Sequence, residues 1–80
     1  MQFDNQAVGT VIRKLRQEKN MTQELLSGLA GIARTHLTMI ENGTKQANME
    51  TLFRISQALD LRLSELIRMA EDDADLYPND

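Results

Sequence analysis

Eighty residues, 41% apolar and 26% charged, suffice for one small domain with a single core and leave little room for an enzyme pocket. The lack of cysteine excludes disulfides and thiolate metal sites, one histidine does not make a zinc site, and no apolar run approaches the ~20 residues of a membrane helix. The net charge of −3 is unevenly divided: through Lys45 there are six basic and four acidic side chains, beyond it three and eight, so a basic half opposes an acidic end, an arrangement that orients a molecule in the field of a polyanion.

Met1 to Gln6 carry neither the basic nor the apolar stretch of a signal peptide, so a cytoplasmic protein is expected. Val8, Val11, Ile12 and Leu15 recur at i, i+3, i+4 and i+7, which predicts a first helix over about residues 6–19, capped by Asp4 or Asn5. Thr22 can cap a short second helix with Leu25, Leu26 and Leu29 facing inward, and Gly31 stops it. Two or three residues later a third helix begins, anchored by Ile32, Leu37 and Ile40 and ended at Asn42-Gly43. Two short helices joined this tightly cross steeply. Asn48 caps a fourth helix, with Glu50 in its first turn and Leu52, Ile55 and Leu59 on its inner side. Leu63, Leu66, Ile67 and Ala70 repeat the helical spacing in a fifth. The acidic stretch from Glu71 to Asp80 holds the single proline and is expected to fray. No segment alternates with period two. The expected fold is therefore all-α, a compact five-helix domain over residues 1–70 with an acidic tail over 71–80.

Several residues carry a resemblance. Ile12 and Arg16, Thr22-Gln23-Glu24 and Leu26, Gly31-Ile32, then Leu37, Ile40, Glu41 and Gly43, and finally Leu52, Ala58 and Leu59 resemble the lambda-repressor-like helix-turn-helix proteins of the Cro and phage-repressor type, from about Val8 to Ala70. The spacing from Gln23 to Glu41 matches that family without a gap. The resemblance implies that the third helix enters the major groove of DNA and reads base edges from its N-terminal end. It places Arg34, Thr35 and Met39 at base-reading positions, with Thr38 close by, and Gln23, Asn42 and Lys45 where the family contacts phosphate. An arginine there can donate two hydrogen bonds to guanine O6 and N7, whereas a methionine offers only van der Waals contact, as to a thymine methyl. The family also pairs an arginine of its first helix with the glutamate closing its third, which implies Arg16 with Glu41. The chain departs from the pattern at Ala33, where a Ser or Thr cap is common, at Ser27, where a small apolar Ala is usual, and at Ala47, where Pro is frequent.

The expected function is that of a sequence-specific transcriptional regulator, not an enzyme, since the acids lie scattered rather than converging on a cleft. The rival is a protein-interaction module of the same fold, such as an antitoxin or anti-repressor, which the acidic second half keeps open. One such motif reads only about four or five base pairs, so a homodimer on a near-palindromic operator is expected. Its interface is sought in the fifth helix, where Leu63, Leu66 and Ile67 with Met69 beside them form a stripe for which the core of one chain and a surface for a second copy compete, Leu66 and Ile67 being open to either reading. In size and pattern the chain is similar to the controller proteins of restriction-modification systems and to Cro-like repressors. Double-stranded DNA and a second copy are the partners expected, and no cofactor, metal or small-molecule ligand.

Overall fold

A computed structural model describes residues 4–76, with side chains as far as Asp73. Residues 1–3 and 77–80, the latter including the last part of the expected tail, lie outside the described residues. Five helices follow one another: α1 (Asn5–Glu18), α2 (Gln23–Ala30), α3 (Arg34–Glu41), α4 (Met49–Ala58) and α5 (Leu63–Leu76). Among the described residues there is no strand.

The helix starts follow from local chemistry. Each free N–H of a first turn needs an acceptor, and the side chains of Asp4, Thr22 and Asn48 supply one, at 2.9, 3.0 and 2.8 Å from the backbone N–H of Gln6, Leu25 and Thr51. At the head of α5 the bond runs the other way, with Glu65 Oε1 accepting from the Arg62 N–H at 2.9 Å, half of a capping box. Gly31 closes α2 in the left-handed conformation at φ 71°, and this reversal lets α3 start with only three residues between the two helices.

Val8, Val11 and Ile12 of α1, Leu26 and Ala30 of α2, Leu37 and Ile40 of α3, Leu52 and Ile55 of α4 with the following Leu59, and Leu66 and Ala70 of α5 form one core. In it α1 packs on α3 and α5, α2 on α3 and α4, and α4 on α5. Gly9 lies at the closest approach of α1 to α3, where a Cβ would stand 2.6 Å from the Glu41 carbonyl oxygen.

Two expectations are corrected. Leu25 and Leu29 do not face inward: they are 50% and 60% exposed, and α2 buries Leu26, Ser27 and Ala30 instead. In a helix this short the rows 25–29 and 26–30 are both i, i+4 rows about 100° apart, and the smaller side chains of the second permit closer packing on α3 and α4. The helical part of the chain also passes Ala70: α5 continues through Leu76, since Ala70, Glu71, Ala74 and Leu76 favour helix and the first breaker is Pro78.

Candidate nucleic-acid interface

With Leu37, Ile40 and Glu41 buried, α3 turns Arg34, Thr35 and Met39 to solvent. Thr35 and Met39 are one turn apart on this outer face, and Arg34 stands at its N-terminal end. Arg34 makes no ion pair among the described residues. Ala33 provides no side-chain cap. The lost cap costs about 1 kcal/mol, which the buried face of the helix offsets.

Behind that face lies a polar cluster centred on Glu41, whose side chain is fully buried. Arg16 spans both carboxylate oxygens, from Nε to Oε2 at 2.8 Å and from Nη2 to Oε1 at 3.1 Å, and its Nη1 donates to the Met21 carbonyl at 2.8 Å. Gln23 Nε2 donates to Glu41 Oε1 at 3.0 Å. The Thr38 hydroxyl donates to Gln23 Oε1 at 2.9 Å, with the Arg34 carbonyl, 3.0 Å away, as its alternative acceptor. Arg13 reaches Glu41 Oε1 at 3.5 Å through Nε and Asn42 Oδ1 at 2.7 Å through Nη2. Burial alone would push the Glu41 carboxyl up. The hydrogen bonds from Arg16 and Gln23, the Arg16 charge and the Arg13 bond outweigh it and hold the group ionised, below the ordinary carboxylate value. Three helices are thus tied at one carboxylate, and the angle at which α3 is offered to solvent is fixed by polar bonds as well as by core packing.

A two-helix unit with its second helix outward has a counterpart in known proteins: residues 12–66 match the helix-turn-helix family. The chain belongs to that family. Control protein C.MunI of Mycoplasma sp. is 37% identical over 59 residues, a match spanning 72% of this chain and 80% of that protein. The ImmF control region 10 kDa protein of Bacillus phage phi105 is 34% identical over 69 residues, spanning 86% and 76%. Among solved structures, the restriction-modification controller protein C.Esp1396I, crystallised as a tetramer in complex with its natural 35-base-pair operator, is similar with a TM-score of 0.81 and 29% identity over 91% of this chain and 96% of that one.

Within this helix-turn-helix the residues singled out from sequence fall into three groups. Arg34, Thr35 and Met39 share the outer face of α3. Gln23, Thr38 and Asn42 are drawn together on its flank by the Glu41 cluster. Lys45 is exposed on the turn beyond α3. Arg13, which the sequence offers with Lys14 and Lys19 as either an ordinary solvent-face charge or a phosphate contact, stands one helical turn before Arg16, an i, i+3 spacing that puts both guanidinium groups on one side of α1.

The expected interface residues of the helix-turn-helix domain separate as well. Leu66 is 0% exposed and belongs to the core of a single chain, so it is not available to a second copy. The remaining three do not form one stripe. Met69 is exposed on the flank of α5 that faces α1, where it lines a groove with Val11, Lys14 and Leu15. Leu63 and Ile67 are half-buried, and Ile67 lies about 160° around the helix from Met69. The i, i+3, i+4 pattern that signals a helix does not say which part of a wide apolar stripe the core consumes. Among the described residues no helix is long and apolar enough to cross a membrane.

Proposed function

We propose that this chain is a sequence-specific DNA-binding transcriptional regulator that inserts α3 into the major groove and acts as a homodimer on a near-palindromic operator. The observation that carries this is the outer face of α3, where Arg34, Thr35 and Met39 are presented to solvent with no side-chain partner among the described residues while the opposite side of the helix is locked to α1 and α2. Arg34 reads guanine through its two parallel donors, and Met39 and the Thr35 methyl contact thymine methyl groups. Gln23, Asn42 and Lys45 meet backbone phosphates and set the register. Thr38 contributes at the edge of the reading face, where its hydroxyl steadies the Gln23 amide.

The likeness to C.MunI and to C.Esp1396I supports a controller of a restriction-modification locus as the specific role. Pairing uses the Leu63 and Ile67 flank of α5. In the major groove two motifs on one face of B-DNA sit about 34 Å apart, one helical turn. Selection of bound duplexes from a random pool tests the whole proposal: it should enrich near-palindromes with half-site centres roughly 10 base pairs apart. A pool that shows no enrichment after repeated rounds overturns sequence-specific binding, and enrichment of isolated half-sites overturns the dimer.

A further inference from the structure

We propose that Arg13, clamped between Glu41 and Asn42, is a built-in contact for a DNA backbone phosphate. The inference rests on the DNA-binding function proposed above and adds a binding residue to it.

Glu41 carries one negative charge and faces two guanidinium groups. Arg16 neutralises it through two short bonds and is itself only 12% exposed, whereas Arg13 touches the carboxylate at 3.5 Å, the outer limit of a hydrogen bond, and is 42% exposed. The cluster therefore keeps about one unit of positive charge, and that charge lies on its open side, at Arg13. A guanidinium has five N–H donors. Nε is directed at Glu41 and one Nη2 hydrogen at Asn42, so three remain without a partner among the described residues.

Position points to phosphate as the ligand. Asn42, which grips Nη2 at 2.7 Å, is the C-cap of α3 and follows Thr35 and Thr38 along one flank of that helix. Arg13 thus stands at the end of the reading helix. Gln23 and Arg13 are anchored on the same oxygen, Glu41 Oε1, so a strand of DNA backbone that reaches the Gln23 amide passes the free donors of Arg13. Two anchors on the planar group also hold it in place before DNA arrives, which lowers the entropic cost of engaging a phosphate.

Phosphate contact is independent of sequence, so the probe is a duplex of random sequence, with binding followed by fluorescence anisotropy over a range of KCl concentrations. Arg13→Gln should flatten the plot of log affinity against log salt by about 0.9 per bound chain. Arg13→Lys should restore the slope while binding more weakly than the wild type, because the charge returns without the clamp. Lys14→Gln removes the same charge from the other flank of α1, beside Met69 and Asp72, and should leave the slope unchanged. A role in the fold alone would lower the melting temperature of Arg13→Gln without changing its slope, and that result overturns the proposal. Equal flattening by Lys14→Gln overturns it too, since the effect would then be one of net charge. Should Arg13→Gln fail to fold, Arg13→Met, which keeps the length of the stem and leaves the Arg16–Glu41 pair in place, gives the same comparison of slopes. A wild type without salt-dependent binding to the duplex refutes the DNA-binding function itself, whereas a steep wild-type slope shared by Arg13→Gln refutes only the assignment of Arg13.

Discussion

Replacing Arg16 with alanine tests the polar cluster at its centre. The substitution removes the 2.8 and 3.1 Å bonds to Glu41 and the 2.8 Å bond to the Met21 carbonyl, and leaves a fully buried carboxylate held by Gln23 at 3.0 Å and by Arg13 at the long distance of 3.5 Å. Breaking one side of a buried ion pair costs about 3–5 kcal/mol. Arg16 retains some contact with water and Gln23 stays in place, so the lower end, about 3 kcal/mol, applies. For a domain of this size about 1 kcal/mol shifts Tm by roughly 4–8 °C, which gives a drop of about 12–24 °C. Total stabilities of such domains run at roughly 0.05–0.15 kcal/mol per residue, so the variant is left marginal. Thermal melts followed by circular dichroism measure this directly, and Glu41→Gln completes a double-mutant cycle. In the Arg16→Ala background, Glu41→Gln should recover part of the loss, because the amide takes the place of an orphaned charge. A fall in Tm below about 4 °C for Arg16→Ala, or strict additivity of the two substitutions, would refute a buried, coupled pair.

The lowered pKa of Glu41 makes the fold acid-sensitive. The stabilisation is complete above the unfolded value near 4.3 and is lost as pH falls through the lower, folded one, so wild-type Tm should fall steeply below about pH 4, with a shallower fall in Glu41→Gln. Gly9→Ala drives a Cβ against the Ile40 and Glu41 carbonyls, which are backbone and cannot yield, and should cost about 1–3 kcal/mol despite alanine's better helix propensity; a raised Tm would show that α1 and α3 lie farther apart. Arg34→Ala should weaken binding to a selected operator by about 1–3 kcal/mol and relax the preference at one position per half-site, and an equal loss on random duplex would make Arg34 a phosphate contact. Ile67→Glu should give a folded monomer by sedimentation that binds palindromes weakly, while Leu66→Glu, with its side chain in the core, should unfold; a dimeric Ile67→Glu would move the interface to another face.

The helices were legible because they rest on neighbours in sequence. The apolar stripe of α1 and the caps at Asp4, Thr22 and Asn48 involve residues no more than a few positions apart, and the structure has them where the pattern puts them. The direction in which α2 buries its face was not legible, because Leu25 with Leu29 and Leu26 with Ala30 satisfy the same period, and the choice is made by how closely α3 and α4 approach. Leu66 was left between core and interface for a related reason, since the stripe on α5 is wider than the share the core takes and its spacing does not say which residues that share includes. At the site, the Arg16–Glu41 pair was accessible only through the family resemblance. That Gln23, Thr38, Arg13 and Asn42 gather around the same carboxylate depends on contacts between residues 15 to 29 positions apart, for which no local rule exists.

The placement of the Glu41 cluster has a consequence for how stability and DNA binding are linked. In so small a core, α1, α2 and α3 could slide past one another by fractions of a turn at little apolar cost, and directional bonds to one buried carboxylate remove that freedom. The same bonds set the distance from Gln23 and Asn42 to the reading face of α3, and backbone contacts must match a rigid helical lattice of phosphates. Substitutions at Glu41 or Arg16 should therefore lower stability and affinity together. Arg34 and Met39, exposed and without side-chain partners among the described residues, contribute little to the fold, and their loss should fall on affinity alone. A set of variants in which affinity tracks stability at the cluster but not on the outer face of α3 is what this division of labour requires, and affinity that stays constant while Arg16→Ala melts about 12–24 °C lower would separate the two.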